Sequence, residues 1–340
     1  MKRRRITLKE IAKLCNTSVT AVSRALSGKD GVSEETRQRI SRIANEHNYR
    51  PNLLAKNMRS LRTNLIGIVV GDITRTFFIE LLRGVEMEAR RQSMHVLIAN
   101  ADEDFAKERE AVDMFLAYSC SGIILCPVSD QDAYLKDLGE EDVHVVIIDR
   151  AVDEALGFSQ ILIKNRKASR EAVDHLLVHG HTRIAYLSSS RLYTVTLRER
   201  HQGYVEALEG YGIQPDRNLI RYCGGGEEAV THTMDLLRQA ERPTAFYIAD
   251  EPLAIHVVSE IMQEGFRIPD DASVVIFGNP AWVSRIPPGF TCVDRPVQKM
   301  GEQAVMLLIE QLRDESQSKC VRLDSRLVSR GSVRELKDSR

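Results

Sequence analysis

Aromatic residues are scarce in this chain, 6% of 340 positions, and Trp282 is its single tryptophan. Long apolar runs are missing: none approaches the ~20 residues that a membrane-spanning helix requires, so no membrane partner is expected. The basic opening Met1–Arg5 resembles the start of an export signal. Lys9, Glu10 and Lys13 interrupt the stretch after it, leaving no apolar export core, and a cytoplasmic protein is expected. Paired cysteines are lacking too. Cys15, Cys120, Cys126, Cys223, Cys292 and Cys320 show no C-x-x-C spacing and no histidine at zinc spacing. This argues against a zinc site or a disulfide framework and leaves reduced, buried thiols.

Nucleotide and hydrolase signatures are absent as well. No G-x-G-x-x-G follows a strand, and no G-x-S-x-G elbow or Walker loop occurs. Gly224-Gly225-Gly226 runs into Glu227-Glu228, whose charges would repel a phosphate. The spacing of His179 and His181 sets their side chains apart, which favours a structural role over a metal. No catalytic residue, cofactor or metal is expected.

What the chain does have is a lopsided charge. Residues 1–62 carry 15 Lys and Arg against 5 Asp and Glu, a net of +10, while the remainder, with 32 basic and 43 acidic residues, carries −11. A basic head on an acidic body is the layout of a protein whose head alone meets a polyanion. The length suggests two or three domains.

The first 50 residues read as three short helices. Thr7-Leu8-Lys9-Glu10 is a capping box, followed by Ile11, Ala12 and Cys15 at helical spacing. Asn16-Thr17 makes a turn, and Ser18 caps a second helix with Val22 and Leu26 on one face. Ser33 opens a third, running to about Asn48 with Ile40, Ile43 and Ala44 inward, and Pro51 stops it. Asn52–Leu61 can form only one or two turns, too short to be stable alone in water.

From Leu65 onward, short β-rich runs alternate with helical patterns. One series comprises Leu65–Val70, His95–Ala99, Gly122–Cys126 and His144–Ile148; a second comprises Gln160–Ile163, Arg183–Leu187, Thr244–Ile248 and Ser273–Phe277. Such alternation implies an α/β fold of two similar lobes with parallel sheets, each binding ligands at the carboxyl ends of its strands. Late elements at Phe290–Val293, Pro296–Leu312 and Val321–Leu323 imply that the chain crosses between lobes more than once.

A helix, a tight turn and a second helix is the arrangement that lays the second helix in a DNA major groove. Val22, Ala25 and Leu26 face inward, whereas Thr20, Ser23, Arg24 and Ser27 face out. Arg24 can reach guanine edges or a phosphate, Thr20 can contact either, and Val19 can pack on a thymine methyl. The competing reading is a charged surface on an ordinary three-helix domain, which the basic excess opposes.

Thr7–Ala12, Ser18–Leu26, Val32–Arg37 and Tyr49-Arg50-Pro51-Asn52, in that order and spacing, resemble the head of the LacI/GalR family of transcription regulators. Leu65–Val70 resembles that family's first core strand, and weaker similarity runs to about Ser332. The resemblance implies a helix-turn-helix head over residues 1–51, a hinge helix or linker over 52–62, and a periplasmic-binding-protein-like core over 63–340. Lobe one is expected over 63–159 and 292–320, and lobe two over 160–291 and 321–334. The candidate DNA-binding residues are Thr7, Val19, Thr20, Ser23 and Arg24 in the head, and Asn52, Ala55 and Met58 in the hinge. Met58 stands where the family places an intercalating Leu, and an apolar wedge between base steps kinks the duplex. Two departures are Asn16, where the family has Gly, and Ala21, where it commonly has Thr.

In the core, the resemblance implies a small-molecule effector, a sugar or sugar derivative, in the cleft between lobes. Phe77 and Phe78 follow the first strand, Asp149 ends the fourth, Arg200 opens the motif Arg200-His201-Gln202-Gly203-Tyr204, and Asp250 stands where the family often has Asn. Aromatic faces cover a sugar's C–H surface, and carboxylates or guanidinium groups bond neighbouring hydroxyls. Trp282 either lines the cleft or packs in the core. Gly278-Asn279, Lys164-Asn165 and Arg75-Thr76 replace the family's Asp-Asp, Asp-Asn and Asn-Pro, so an anionic or phosphorylated effector is an alternative to a neutral sugar. The expected function is a homodimeric regulator, most simply a repressor, binding a palindromic operator under effector control. The chain ends without leucine heptads, which favours a dimer over a tetramer. Two rivals are a sugar-binding module with an incidental basic head and a Rossmann-type enzyme.

Overall fold

The computed structural model describes residues 6–26, 30–47, 49, 63–128, 132–190, 194–314 and 317–336. These form two units divided between Thr63 and Asn64.

The head contains α1 (Leu8–Leu14), α2 (Val19–Leu26) and α3 (Glu34–Glu46). The expected capping box is formed: the Glu10 N–H donates to Thr7 Oγ1 at 3.3 Å and the Thr7 N–H to Glu10 Oε2 at 2.8 Å. Asn16 takes the left-handed conformation at φ +48°, which a short polar side chain tolerates. The turn closes through the Thr17 N–H on the Ala12 carbonyl. Ser18 Oγ accepts from the Ala21 N–H and Ser33 Oγ from the Thr36 N–H, capping α2 and α3. Ile11, Val22 and Ile40 are wholly buried at the centre. The expected hinge helix, with Asn52, Ala55 and Met58, lies outside the described residues.

The core runs β1 (Leu65–Val70), α4 (Thr76–Arg91), β2 (His95–Asn100), α5 (Phe105–Ala117), β3 (Gly122–Leu125), α6 (Asp132–Gly139), β4 (His144–Ile148) and β5 (Ser159–Ile163). It continues through α7 (Asn165–Val178), β6 (Ile184–Ser189), α8 (Val195–Gly210), β7 (Ile220–Cys223), α9 (Gly226–Leu237), β8 (Ala245–Ile248), α10 (Glu251–Gln263) and β9 (Ser273–Phe277). The last elements are β10 (Thr291–Asp294), α11 (Val297–Asp314), β11 (Cys320–Leu323) and β12 (Arg326–Val328).

Two six-stranded sheets result, ordered β11-β5-β4-β3-β1-β2 and β12-β10-β9-β8-β6-β7. Every pairing is parallel except β10 with β12. β3, β5, β8 and β9 are buried along their whole length, as parallel strands covered by helices on both faces must be.

Strand membership corrects the expected lobe boundaries. The strand at 160–163, assigned to the second lobe, is β5 of the first sheet, with Ile148 opposite Ile161. The strand at 321–323, also assigned to the second lobe, is β11 at the first sheet's edge. The strand at 290–293 is β10 of the second sheet, beside β9, rather than part of lobe one. Between β4 and β5 there is only a single 3₁₀ turn, Glu154–Leu156. That missing crossover helix looks like a boundary in a sequence. The chain instead crosses near residues 164, 295–296 and 324–325.

Glycines let the helices meet backbone to backbone. A β-carbon on Gly84 of α4 would collide with the Gln298 carbonyl of α11, and one on Gly301 of α11 with the Leu81 carbonyl of α4. In the second lobe Gly203 of α8 meets the Arg166 carbonyl of α7 in the same way, which explains the glycine of the motif that begins at Arg200. Nothing lies within 4 Å of where a β-carbon on Gly225 would sit. Gly301→Ala is therefore expected to lower core stability by about 3 kcal/mol, the scale of overpacking, and Gly225→Ala by well under about 1 kcal/mol. Urea unfolding of the two variants against the parent measures both.

Candidate ligand cleft and nucleic-acid interface

On the head, α2 divides as its sequence indicates. Val22 and Ala25 are buried, Val19, Thr20 and Arg24 exposed, and Ser23 half-buried. Lys9, Lys13, Arg24 and Arg39 are exposed with no ion-pair partner among the described residues, so their charges are free for an external anion. Arg37 instead turns inward, its Nη1 donating to the Ala25 carbonyl at 3.2 Å, which ties the end of α2 to α3. Thr7 is exposed, but its hydroxyl is spent on the cap, donating to Glu10 Oε2 at 2.9 Å.

In the core, strand ends from both lobes converge on a solvent-open cleft of about 520 Å³. Phe77, Phe78, Asp149, Arg200 and Asp250 all line it, so five of the six expected ligand residues come together. Trp282 does not. Its ring lies edge-on to Phe290 at 5.6 Å and packs against the second lobe's core, which corrects its candidacy. An aromatic residue near a strand end looks the same in a sequence whichever way it turns.

The cleft also holds residues the motifs did not single out, among them Arg75, Arg150, Ser189, Glu251 and Arg295. Each of these three arginines has a carboxylate. Arg150 grips Glu103 with both terminal nitrogens, at 2.8 and 2.6 Å, and donates to the Pro127 carbonyl at 2.9 Å. Arg295 pairs with Glu251 at 3.0 Å, its guanidinium 4.7 Å from the Phe77 ring centre. Arg75 lies 3.4 Å from Asp72. The signal in the sequence was an arginine beside a strand end, as in Asp149-Arg150 and Asp294-Arg295.

Arg200 differs. It is 4% exposed and donates only to neutral acceptors, Asn165 Oδ1 at 3.0 Å and the Ala249 carbonyl at 2.9 Å, with its plane 4.0 Å over Phe277. Burial lowers its pKa from the ordinary arginine value, and the charge of Arg295 adds to the effect. Opposite it stand two carboxylates without ion-pair partners among the described residues. Asp149, at φ +66°, has Oδ1 buried with no hydrogen bond, and Asp250 is buried at the start of α10 with no side-chain cap bond. Ser189 Oγ is likewise buried and unbonded. Orphaned buried polar atoms cost free energy, and a ligand that supplies their partners recovers it.

Behind the first lobe's half of the cleft lies Glu108, 1% exposed, whose Oε2 accepts the Val128 N–H at 2.6 Å. Burial raises its pKa to about 7, Glu103 adds to the shift, and the Val128 bond and Arg150 oppose it.

A helix-turn-helix head with exposed cations, joined to a two-lobed core with a polar cleft, defines a DNA-binding transcription regulator rather than an enzyme. Residues 7–52 match the lacI family of bacterial regulatory proteins, and residues 173–333 match the periplasmic binding protein-like domain. The HTH-type transcriptional repressor PurR of Vibrio atlanticus (strain LGP32) is 29% identical over 337 residues, 97% of this chain and 99% of that one. A crystal structure from Burkholderia thailandensis, assigned to a ribose operon repressor, is 31% identical with a TM-score of 0.71, covering 78% of this chain and 99% of that one. The lac repressor dimer bound to operator and the anti-inducer ONPF has the same fold, with a TM-score of 0.88 at 24% identity over 97% of this chain and 100% of that one. The chain belongs to the LacI family of bacterial regulatory proteins. No helix among the described residues is long and apolar enough to cross a membrane.

Glu108 gives the fold a pH dependence whose sign is determined. Its folded pKa lies above the value of 4.5 it starts from, so folding favours the protonated acid. Stability should therefore fall as pH rises from about 4.5 to about 7 and level off above. Glu108→Gln, which keeps the acceptor for Val128 without the charge, should remove that slope and be the more stable protein at pH 8 by about 3 kcal/mol. Denaturant midpoints of both proteins from pH 4.5 to 8 check it; parallel profiles would refute the assignment.

Proposed function

We propose that the chain is a homodimeric repressor. Its two heads read a roughly palindromic operator, and its cleft takes a neutral, hydroxyl-rich molecule of monosaccharide size as effector. The observation that carries the effector reading is the cleft's charge balance. Three of its four guanidinium groups already have carboxylates, so Arg200 alone is unneutralised, facing the unpaired Asp149 and Asp250. Two orphan acceptors and one cation suit a ligand that donates several hydroxyls and accepts one or two bonds. A phosphate would meet two carboxylates against the single cation of Arg200. This favours the neutral sugar over the anionic alternative that Gly278-Asn279 and Arg75-Thr76 had left open. Phe77 and Phe78, edge to face at 5.1 Å, offer an aromatic wall for C–H groups.

The dimer reading is supported by β2, an edge strand of the first sheet, where Ile98 is 49% exposed, and by Ile79 of α4, 55% exposed. An exposed edge with large apolar residues is a surface that a second copy can cover. In the mechanism, effector binding shifts the relation of the two lobes and with it the affinity of the paired heads for operator; coupling of about 1–3 kcal/mol suffices for regulation.

Two experiments test the reading. In a thermal-shift panel of free and phosphorylated aldopentoses and aldohexoses, stabilisation should come from free sugars and be lost in Arg200→Met; a response confined to the phosphorylated set would sink the effector assignment. In selection from a random duplex library, the parent should enrich a two-fold symmetric site. Arg24→Ala should lose base preference while retaining salt-sensitive, non-specific binding. Equal enrichment by both proteins would refute the role of α2.

A further inference from the structure

Three non-glycine residues just beyond strand ends of the first sheet hold left-handed backbone conformations: Asp102 and Glu103 after β2, both at φ +54°, and Asp149 after β4, at φ +66°. Such conformations cost of order 1–3 kcal/mol each and persist only where the surroundings over-determine them. Around them, the Asp149 N–H donates to the Ile161 carbonyl at 2.9 Å and the Arg150 N–H to the Ile148 carbonyl at 2.8 Å, Asp102 pairs with Lys107, and a buried ion pair joins the two turns. The Glu103 side chain is 4% exposed and takes both arms of Arg150, whose own side chain is 9% exposed. Arg150 is the residue next to Asp149, and its Nη1 also holds the Pro127 carbonyl after β3. Glu103 is anchored in turn by its N–H on the Gly71 carbonyl at 2.7 Å, after β1. A β-carbon on Gly71 would sit 2.8 Å from Glu103 Oε1 and 3.2 Å from Phe78 Cζ, so that glycine makes room for both.

Glu103 does not itself line the cleft. We propose that Glu103 is a positioning residue of the effector site. By clamping Arg150 it ties together the loops after β1, β2, β3 and β4, keeps Asp149 left-handed with its carboxylate presented to the ligand, and backs the ring of Phe78. Effector affinity then depends on a charge the effector never touches. A bidentate Arg–carboxylate pair suits this task because its geometry is directional, where a single point charge would let the loops rotate.

The proposal rests on the regulator reading for its meaning, but its first test needs neither DNA nor effector. In the crystal structure of full-length Glu103→Gln, Asp149 should relax to negative φ and Arg150 should withdraw from the Pro127 carbonyl beyond about 3.5 Å. Binding of any free aldose that stabilises the parent protein should weaken at least roughly tenfold. Asp149 still near +66° with Arg150 still on Pro127 would overturn the proposal. So would a lowered melting temperature with unchanged sugar affinity, which would make Glu103 a fold residue only. Should Glu103→Gln fail to fold, Arg150→Lys, which keeps the charge but lacks the planar fork, is put to the same two measurements. If no aldose stabilises even the parent, the effector assignment falls while the crystallographic result still decides this one.

Discussion

A buried carboxylate and a buried guanidinium, Glu103 and Arg150, organise the first lobe's contribution to the cleft. Removing two charges from water is costly, and the attraction between them offsets that cost only when geometry is good and the remaining donors are satisfied. The geometry is good: the pair is bidentate, and a third bond reaches the Pro127 carbonyl. Replacing the pair with apolar residues of equal volume could yield an equally stable lobe. Its presence is better explained by direction than by stability, because apolar contacts would not dictate which way Asp149 faces.

That distinction between satisfied and unsatisfied charge organises the whole cleft. Arg75, Arg150 and Arg295 are neutralised within the protein and act as structure, while Arg200, Asp149 and Asp250 line the cleft with no direct ion-pair partner among the described residues. Arg200 is itself held rigidly. Asn165 and the Ala249 carbonyl fix its nitrogens, and Ser169 Oγ, which takes the Tyr247 hydroxyl at 2.7 Å, donates to its backbone carbonyl at 2.5 Å. A site whose polar groups are preset loses little freedom on binding. The Oδ1 of Asp149 and the Oγ of Ser189, buried without a hydrogen-bond partner, carry an uncompensated desolvation cost.

Local features were legible in the sequence because local chemistry decides them. The capping box at Thr7 and Glu10, the left-handed Asn16 and the caps at Ser18 and Ser33 need only neighbouring residues to form. The parallel strands announced themselves as continuous apolar runs. What could not be read depends on partners far along the chain. Whether Gln160–Ile163 joins the first or second sheet is decided by β4 on one side and β11 on the other, the latter some 160 positions later. β7 and β12, short and at sheet edges, carry too weak a pattern to stand out. Arg150 draws meaning only from Glu103, 47 residues earlier, and Arg295 only from Glu251, 44 residues earlier. The missing acids at Gly278-Asn279 are explained the same way. A β-carbon on Gly278 would lie 3.0 Å from Glu251 Oε2, so the glycine makes room for a carboxylate supplied by α10. Asn279, for its part, bridges Arg330 and Asp294 instead of reaching the cleft.

Arg295 is the cleft cation carried on a crossover, the segment between β10 of one lobe and α11 packed on the other. Its ion pair is with Glu251 of the second lobe, and its flat face lies over Phe77 of the first. Glu251 and Phe77 both border the main cleft and a smaller recess of about 230 Å³ behind it, where Glu80 and Asp294 also stand. Burial raises the pKa of Glu80, Arg295 opposes that shift, and Glu251 and Asp294 add to it, so Arg295 tempers the crowding of acids there. The Arg295 guanidinium therefore touches both lobes at once, a carboxylate of the second and an aromatic ring of the first. Packed contacts of this kind exchange between discrete arrangements rather than deform smoothly. Phe77 thus belongs both to the wall of the cleft and to the seat of the crossover.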